Sequence, residues 1–111
     1  PFISPYYLIL LIWYPCFEVL FSFIRKIRTN KSPLKPDNNH LHQLLYSKLK
    51  KKINSLHANS SASIIILIYN LIMVLFSNKF IFNTTVCILL LCLNVIIYLI
   101  SYYFLNKEYE K

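Results

Sequence analysis

Residues 80–105 read FIFNTTVCILLLCLNVIIYLISYYFL, with no charged side chain among them. A run this long and apolar exceeds the ~18–20 residues with which a helix crosses the ~30 Å hydrocarbon core of a bilayer. Two further runs precede it. Residues 60–77 (SSASIIILIYNLIMVLFS) carry no charge, and residues 6–24 (YYLILLIWYPCFEVLFSFI) carry one, Glu18. Lipid offers backbone amides no partner, so an isolated apolar run satisfies its own hydrogen bonds only as a helix. The expected fold is an all-α membrane protein with three transmembrane helices. They are expected over 1–24, with a kink near Pro15, over 60–77 and over 80–105. A basic loop over 25–59 and a short tail over 106–111 complete the chain.

Composition points the same way. Of 111 residues, 57% are hydrophobic and 14% charged, and the mean hydropathy is +0.50, where soluble domains run about 45–50% apolar and about 25% charged. Glycine is absent, which excludes the phosphate-binding loops of P-loop and dinucleotide-binding enzymes, where backbone must approach phosphate closely. Cys16, Cys87 and Cys92 all fall in apolar runs with no disulfide or zinc spacing, so they are expected to be small buried hydrophobes. The chain begins at Pro1 rather than at a methionine, and it is expected to be a piece of a longer protein.

Charge is concentrated between the first two runs. Residues 25–59 hold Arg25, Lys26, Arg28, Lys31, Lys35, Lys48, Lys50, Lys51 and Lys52 against one acid, Asp37, so the loop carries the +8 of the whole chain. Lys and Arg accumulate in cytoplasmic loops, which places this loop and the tail inside and the turn at Asn78 and Lys79 outside. Ser32-Pro33 and Lys35-Pro36 disfavour helix before each proline, so residues 29–36 should be turned or extended. Asp37 stands where a helix N-cap belongs. Leu41, Leu44, Leu45, Leu49, Ile53 and Leu56 then recur at helical spacing among lysines, which predicts an amphipathic helix over 38–56. The simplest placement is on the membrane surface, leucines in the interface and lysines toward anionic headgroups.

Several side chains could carry chemistry. His40 and His42, at i and i+2, project about 200° apart on a regular helix and could not share one metal ion there. Anion binding suits the segment better, because a helix start offers free N–H groups and a positive dipole end, with Arg25, Arg28, Lys31 and Lys35 nearby in sequence; a solvated basic loop explains the same charges. Glu18 lies in a transmembrane run, where a carboxylate is a functional candidate by default; the plainer reading pairs it with Arg25 or the interface. Asn70, Asn83 and Asn94 are expected to hydrogen-bond between helices. Tyr46 is the one aromatic residue of the loop beyond the first span, too few for a nucleic-acid stacking platform, so no nucleic-acid partner is expected.

The segments Tyr14-Pro15-Cys16-Phe17-Glu18, Arg25-Lys26 and Lys31-Ser32-Pro33-Leu34-Lys35-Pro36-Asp37-Asn38-Asn39-His40-Leu41-His42-Gln43-Leu44-Leu45-Tyr46 resemble part of the polyprenyl-phosphate N-acetylhexosamine-1-phosphate transferases. The resemblance is to the undecaprenyl-phosphate GlcNAc-1-phosphate transferase branch, glycosyltransferase family 4. That branch has a kinked span ending in a basic cytoplasmic loop of pattern S-P-x-x-P-D-x-x-H-L-H-H/Q-L. The likeness covers residues 14–46, and the two following spans fit the way the family ends.

The resemblance implies an integral-membrane enzyme of the bacterial inner membrane serving cell-envelope polysaccharide synthesis. It would move a sugar 1-phosphate from a UDP-N-acetylhexosamine to a polyprenyl phosphate, releasing UMP, with Mg²⁺ as cofactor. By matching position it implicates Asp37, His40 and His42 in nucleotide-sugar binding, with Arg28 and Lys31 as phosphate contacts. Gln43 stands where many members carry a third histidine. The family's metal-binding and catalytic aspartates lie on earlier loops, and no acidic pair occurs here. The resemblance therefore implies a C-terminal piece with no catalytic residue or metal ligand of its own, working with the remainder of the same polypeptide. The competing expectation is a small three-span membrane protein whose basic loop binds anionic membrane lipid or a protein partner.

Overall fold

In the computed structural model, which describes residues 2–35 and 40–109 (without the side chains of Glu108 and Tyr109), the described secondary structure is entirely helical. Four α-helices run in the order α1 (Pro5–Arg28), α2 (Leu41–Lys50), α3 (Ser55–Ser77) and α4 (Thr84–Tyr109), with a 3₁₀ turn (Asn78–Phe80) between the last two. α1, α3 and α4 are each long and apolar enough to cross a membrane. In their most apolar stretches only 22%, 11% and 22% of residues are buried, so most of their apolar side chains face outward, as on lipid-facing helices. This is an all-α membrane protein.

Local chemistry sets the helix ends. Ser4 caps α1, its hydroxyl accepting from the Tyr6 N–H, with Pro5 at the first helical position, where its missing N–H costs nothing. α1 continues through Pro15, whose lack of an N–H leaves the Leu11 carbonyl without its intrahelical donor. At the other end the Lys31 N–H reaches the Lys26 carbonyl at 2.8 Å and the Asn30 N–H reaches that of Ile27 at 3.2 Å. This is a Schellman closure, with Asn30 at φ 60°, a region asparagine tolerates better than most residues. The expected turn after α1 follows directly. Asn54 opens α3 by accepting from the His57 N–H at 2.9 Å, and Asn83 does the same for α4 from Val86 at 3.2 Å.

Two clusters hold the bundle. On the side of the 3₁₀ turn, Leu10, Cys87 and Leu90 pack with Tyr7, Met73 and Phe80, while Ser4 ties the two helix starts together through the Thr84 hydroxyl (2.9 Å) and the Ile81 carbonyl (2.9 Å). On the loop side, Trp13, Leu44, Tyr98 and Tyr102 form the core. Phe17 stacks on Phe21 and Tyr98 stacks on Tyr102, and the two columns meet edge to face, the geometry that aromatic quadrupoles favour.

Several expectations change. The helix anticipated over 38–56 is only Leu41–Lys50. Asp37, anticipated as its N-cap, lies outside the described residues, and His40 occupies the position before the first helical residue. The polar stretch 55–59 joins α3 instead, because Asn54 is a good N-cap. Nor do all the leucines of α2 face outward toward an interface. α2 packs against α3 and α4, with Leu44 1% exposed. Ala58 and Ala62, both fully buried and one turn apart on α3, let it approach closely. Cys87 is buried but Cys16 and Cys92 are exposed. Asn94 does bridge helices, accepting from the Tyr69 hydroxyl at 2.6 Å, whereas Asn70 bonds back to the Ile66 carbonyl and Asn83 serves as a cap.

The Tyr69–Asn94 bond allows a direct test. Asn94 is fully buried, so Tyr69→Phe orphans an amide oxygen, which costs about 1–3 kcal/mol in water-soluble cores but averages about 0.6 kcal/mol between membrane helices. The membrane value applies, and Tyr69→Phe should lower unfolding free energy in micelles by about 0.6–1 kcal/mol. A loss above 2 kcal/mol would mean that the pair has no alternative partners when separated.

Candidate functional site: a carboxylate at the buried end of α2

Glu18 lies ten residues before the end of α1, about 15 Å below it at 1.5 Å per residue. α2, ten residues long, packs against α3 and α4, and its N-terminus reaches the level of Glu18. There the Glu18 carboxylate meets it. Glu18 Oε1 accepts from the Leu41 backbone N–H at 3.1 Å, from the Tyr98 hydroxyl of α4 at 2.5 Å, and lies 3.2 Å from His40 Nδ1. One oxygen thus joins α1, α2 and α4.

The physical reasons are plain. The first N–H groups of a helix have no intrahelical partner, and the N-terminus carries about half a positive charge. A carboxylate placed there satisfies a donor and complements the dipole. The His40 contact favours a proton on Nδ1, since two facing lone pairs would repel, and this makes Nε2 the acceptor of the neutral ring. The Gln43 side chain reaches back to the His40 N–H at 3.1 Å, fixing the residue from the other side. Glu18 Oε2 and the Tyr14 hydroxyl are both buried without a hydrogen-bond partner among the described residues. They sit four residues apart on one face of α1, where i and i+4 side chains are neighbours.

The second histidine goes elsewhere. His42 Nε2 lies 3.0 Å from the Ser63 hydroxyl on α3, beside an open cleft that also touches Tyr14 and Asn70. The two histidines therefore bind α2 to different helices. Beneath α2 lies a largely apolar cavity of about 220 Å³, bordered by Trp13, Tyr14, Leu41, Leu45, Tyr69 and Tyr98.

Of the residues singled out from sequence, Glu18 and His40 are brought into contact. His42 lies two residues along α2, facing α3. Arg28 stands in a separate cleft at the loop-side end of α1, with Arg25, Tyr102 and Asn106. Lys31 is exposed in the turn that closes α1, and Asp37 lies outside the described residues. The carboxylate of Glu18 is engaged by His40, Leu41 and Tyr98, not by the Arg25 that sequence proximity suggested. Tyr98 escaped sequence reading because its partner stands eighty residues away; a tyrosine within an otherwise aliphatic run was the available signal. No protein-family model, curated protein or solved structure matches the chain.

Proposed function

We propose that this chain forms the C-terminal part of an integral-membrane glycosyltransferase. The whole enzyme would move N-acetylhexosamine 1-phosphate from a UDP-sugar to undecaprenyl phosphate, and the α1–α2 segment would help to bind the nucleotide sugar. One observation supports this reading best. The two separated sequence blocks that carry the resemblance, residues 14–18 and 31–46, meet at the 3.2 Å contact between Glu18 and His40. Blocks matched for a shared task are expected to converge, and unrelated ones have no reason to.

In this reading His40 and His42, with Asp37, hydrogen-bond the nucleotide sugar, His40 Nε2 and the Asp37 carboxylate as acceptors of its hydroxyl and amide protons, and Arg28 and Lys31 offset its phosphate charge. Glu18 is a positioning residue, holding the His40 ring through Nδ1 much as carboxylates orient imidazoles elsewhere. The basic loop faces the cytoplasm of a bacterial inner membrane, following the bias of Lys and Arg.

Mg²⁺ takes several oxygen ligands in near-octahedral array, and the described residues do not fit that demand. They contain no cluster of three potential ligands, and the one intramembrane carboxylate already accepts from backbone and hydroxyl donors on Oε1. This reading assigns the ion to the remainder of the polypeptide.

The test is His40→Ala in the full-length protein, with His42→Ala beside it. A hydrogen bond between neutral groups contributes about 0.5–1.5 kcal/mol, so each change should lower sugar-phosphate transfer roughly two- to tenfold, with membrane insertion intact. A rival reading, a three-span protein whose basic loop binds anionic lipid or a protein partner, draws on the exposed Lys50, Lys51 and Lys52. Unchanged transfer in both variants would decide for it.

A further inference from the structure

The cavity beneath α2 is a part of the bundle that its own side chains leave unfilled. α2 packs against both α3 and α4, and those two helices are joined by the Tyr69–Asn94 bond, one turn beyond Tyr98 along α4. Between that bond and α2, which contributes Leu41 and Leu45, lies a space of about 220 Å³ with Trp13, Ile97 and Tyr98 among its other walls. We infer that this cavity binds the end of one acyl chain of a bilayer lipid, which enters past Ile65 and completes the seat of α2. This inference stands apart from the transferase reading.

The chemistry of the walls selects hydrocarbon over water. The described lining carries no charged side chain. Two of its tyrosines direct their hydroxyls to other partners, Tyr69 to Asn94 and Tyr98 to Glu18, so they offer the cavity their rings. A space of this size would hold several waters, each wanting about three hydrogen bonds, and the hydroxyls left over, those of Tyr14 and Ser101, cannot supply them. An empty cavity would forfeit the dispersion contacts of its lining. The mouth is open to a source that can restore them, because Ile65 both lines the cavity and is 49% exposed on the outward face of a membrane-spanning helix.

Depth and size fit the end of a chain. Trp13 and Tyr14 stand within about 6 Å of the middle of α1 at 1.5 Å per residue, which puts this wall near the centre of a ~30 Å hydrocarbon core, where lipid chains terminate. An apolar cavity of about 150 Å³ admits the six carbons of benzene, so one of about 220 Å³ admits a segment of roughly eight. Leu41 and Leu45 would rest on that segment. α2 would then be fastened at its N-terminus by Glu18 and supported along its apolar face by lipid.

The test reads the emission of Trp13, the only tryptophan of the chain, which lines the cavity and is 6% exposed. The chain is reconstituted into vesicles of phosphatidylcholine mixed with the same lipid brominated near its chain ends, since bromine quenches tryptophan at close range. A single seat filled by mass action leaves about half of the quenchable emission at an equimolar mixture, whereas several surrounding chains leave roughly a quarter or less. Half is the expected result. Ser101→Leu and Leu45→Phe each put a larger side chain into the cavity and should lose most of the quenching at an unchanged emission maximum. Undiminished quenching in a variant with that maximum overturns the inference, as does a quarter or less of the emission left in the unaltered protein, or no quenching there at all. The equimolar reading involves no substitution, so it decides even where a larger side chain disturbs the fold. Quenching by water-soluble acrylamide in place of bromine would make the cavity aqueous and overturn the assignment to a lipid chain.

Discussion

Glu18→Leu is expected to release the N-terminus of α2 and to lower stability by about 2–4 kcal/mol. Three donors lose their acceptor together: the Leu41 N–H, the Tyr98 hydroxyl and the His40 ring. Each orphaned buried donor costs about 1–3 kcal/mol, and the His40 side chain, at 32% exposure, recovers part of its share from water. The opposing effect is real. Leucine also removes the buried, unpartnered Oε2, and replacing a buried charge by a hydrophobe is often neutral where no partner is stranded. Here three partners are stranded against one oxygen relieved, so the loss wins. Glu18→Gln keeps an acceptor at the Oε1 position and should lose only the charge–dipole contribution, up to about 2 kcal/mol. Denaturant unfolding in micelles, together with hydrogen exchange at the Leu44 and Leu45 amides, measures both. Protection in Glu18→Leu equal to that of the unaltered protein would mean that α2 is held by its leucines alone.

Leu44→Ala is the second large effect, with about 2–5 kcal/mol expected. Leu44 is 1% exposed among Trp13, Tyr98 and Tyr102, and truncation of a buried leucine leaves a void that surrounding atoms fill only partly. Rings this large have little freedom to collapse into it. The neighbouring cavity of about 220 Å³ works in the same direction, because the packing beside the site is already incomplete. The matched control is Leu56→Ala at 74% exposure, which should stay within about 0.5 kcal/mol. If both variants lost stability equally, the effect would belong to helix propensity or lipid contact, and the seat of α2 in the bundle would be in question.

The three long helices were legible because their residues lack any alternative: an apolar run of that length has one way to satisfy its backbone in lipid. Their ends were less legible. α3 begins at Ser55, five residues before the hydropathy rises, since capping by Asn54 and not apolarity starts a helix. The leucine periodicity of α2 was legible, but its partner was not. Periodicity says that one face seeks cover without saying whether lipid or protein provides it. The signal that would have decided the matter stood in Ala58 and Ala62, two small residues one turn apart where the loop gives way to the apolar run. Glu18 could be marked as costly from sequence, yet its partners come from α2 and α4, and only the tertiary arrangement brings them there.

The seat of α2 also bears on the order in which the molecule is completed. Its N-terminus is held by α1, but its walls are α3 and α4, both synthesised after it, and the Tyr98 donor to Glu18 is made eighty residues after the carboxylate it serves. At about 5–20 residues per second, Glu18 waits roughly 4–16 s for that hydroxyl. During the same interval the leucines of α2 have no completed groove to enter. The helix made second is therefore the one seated last, and its arrival closes the assembly.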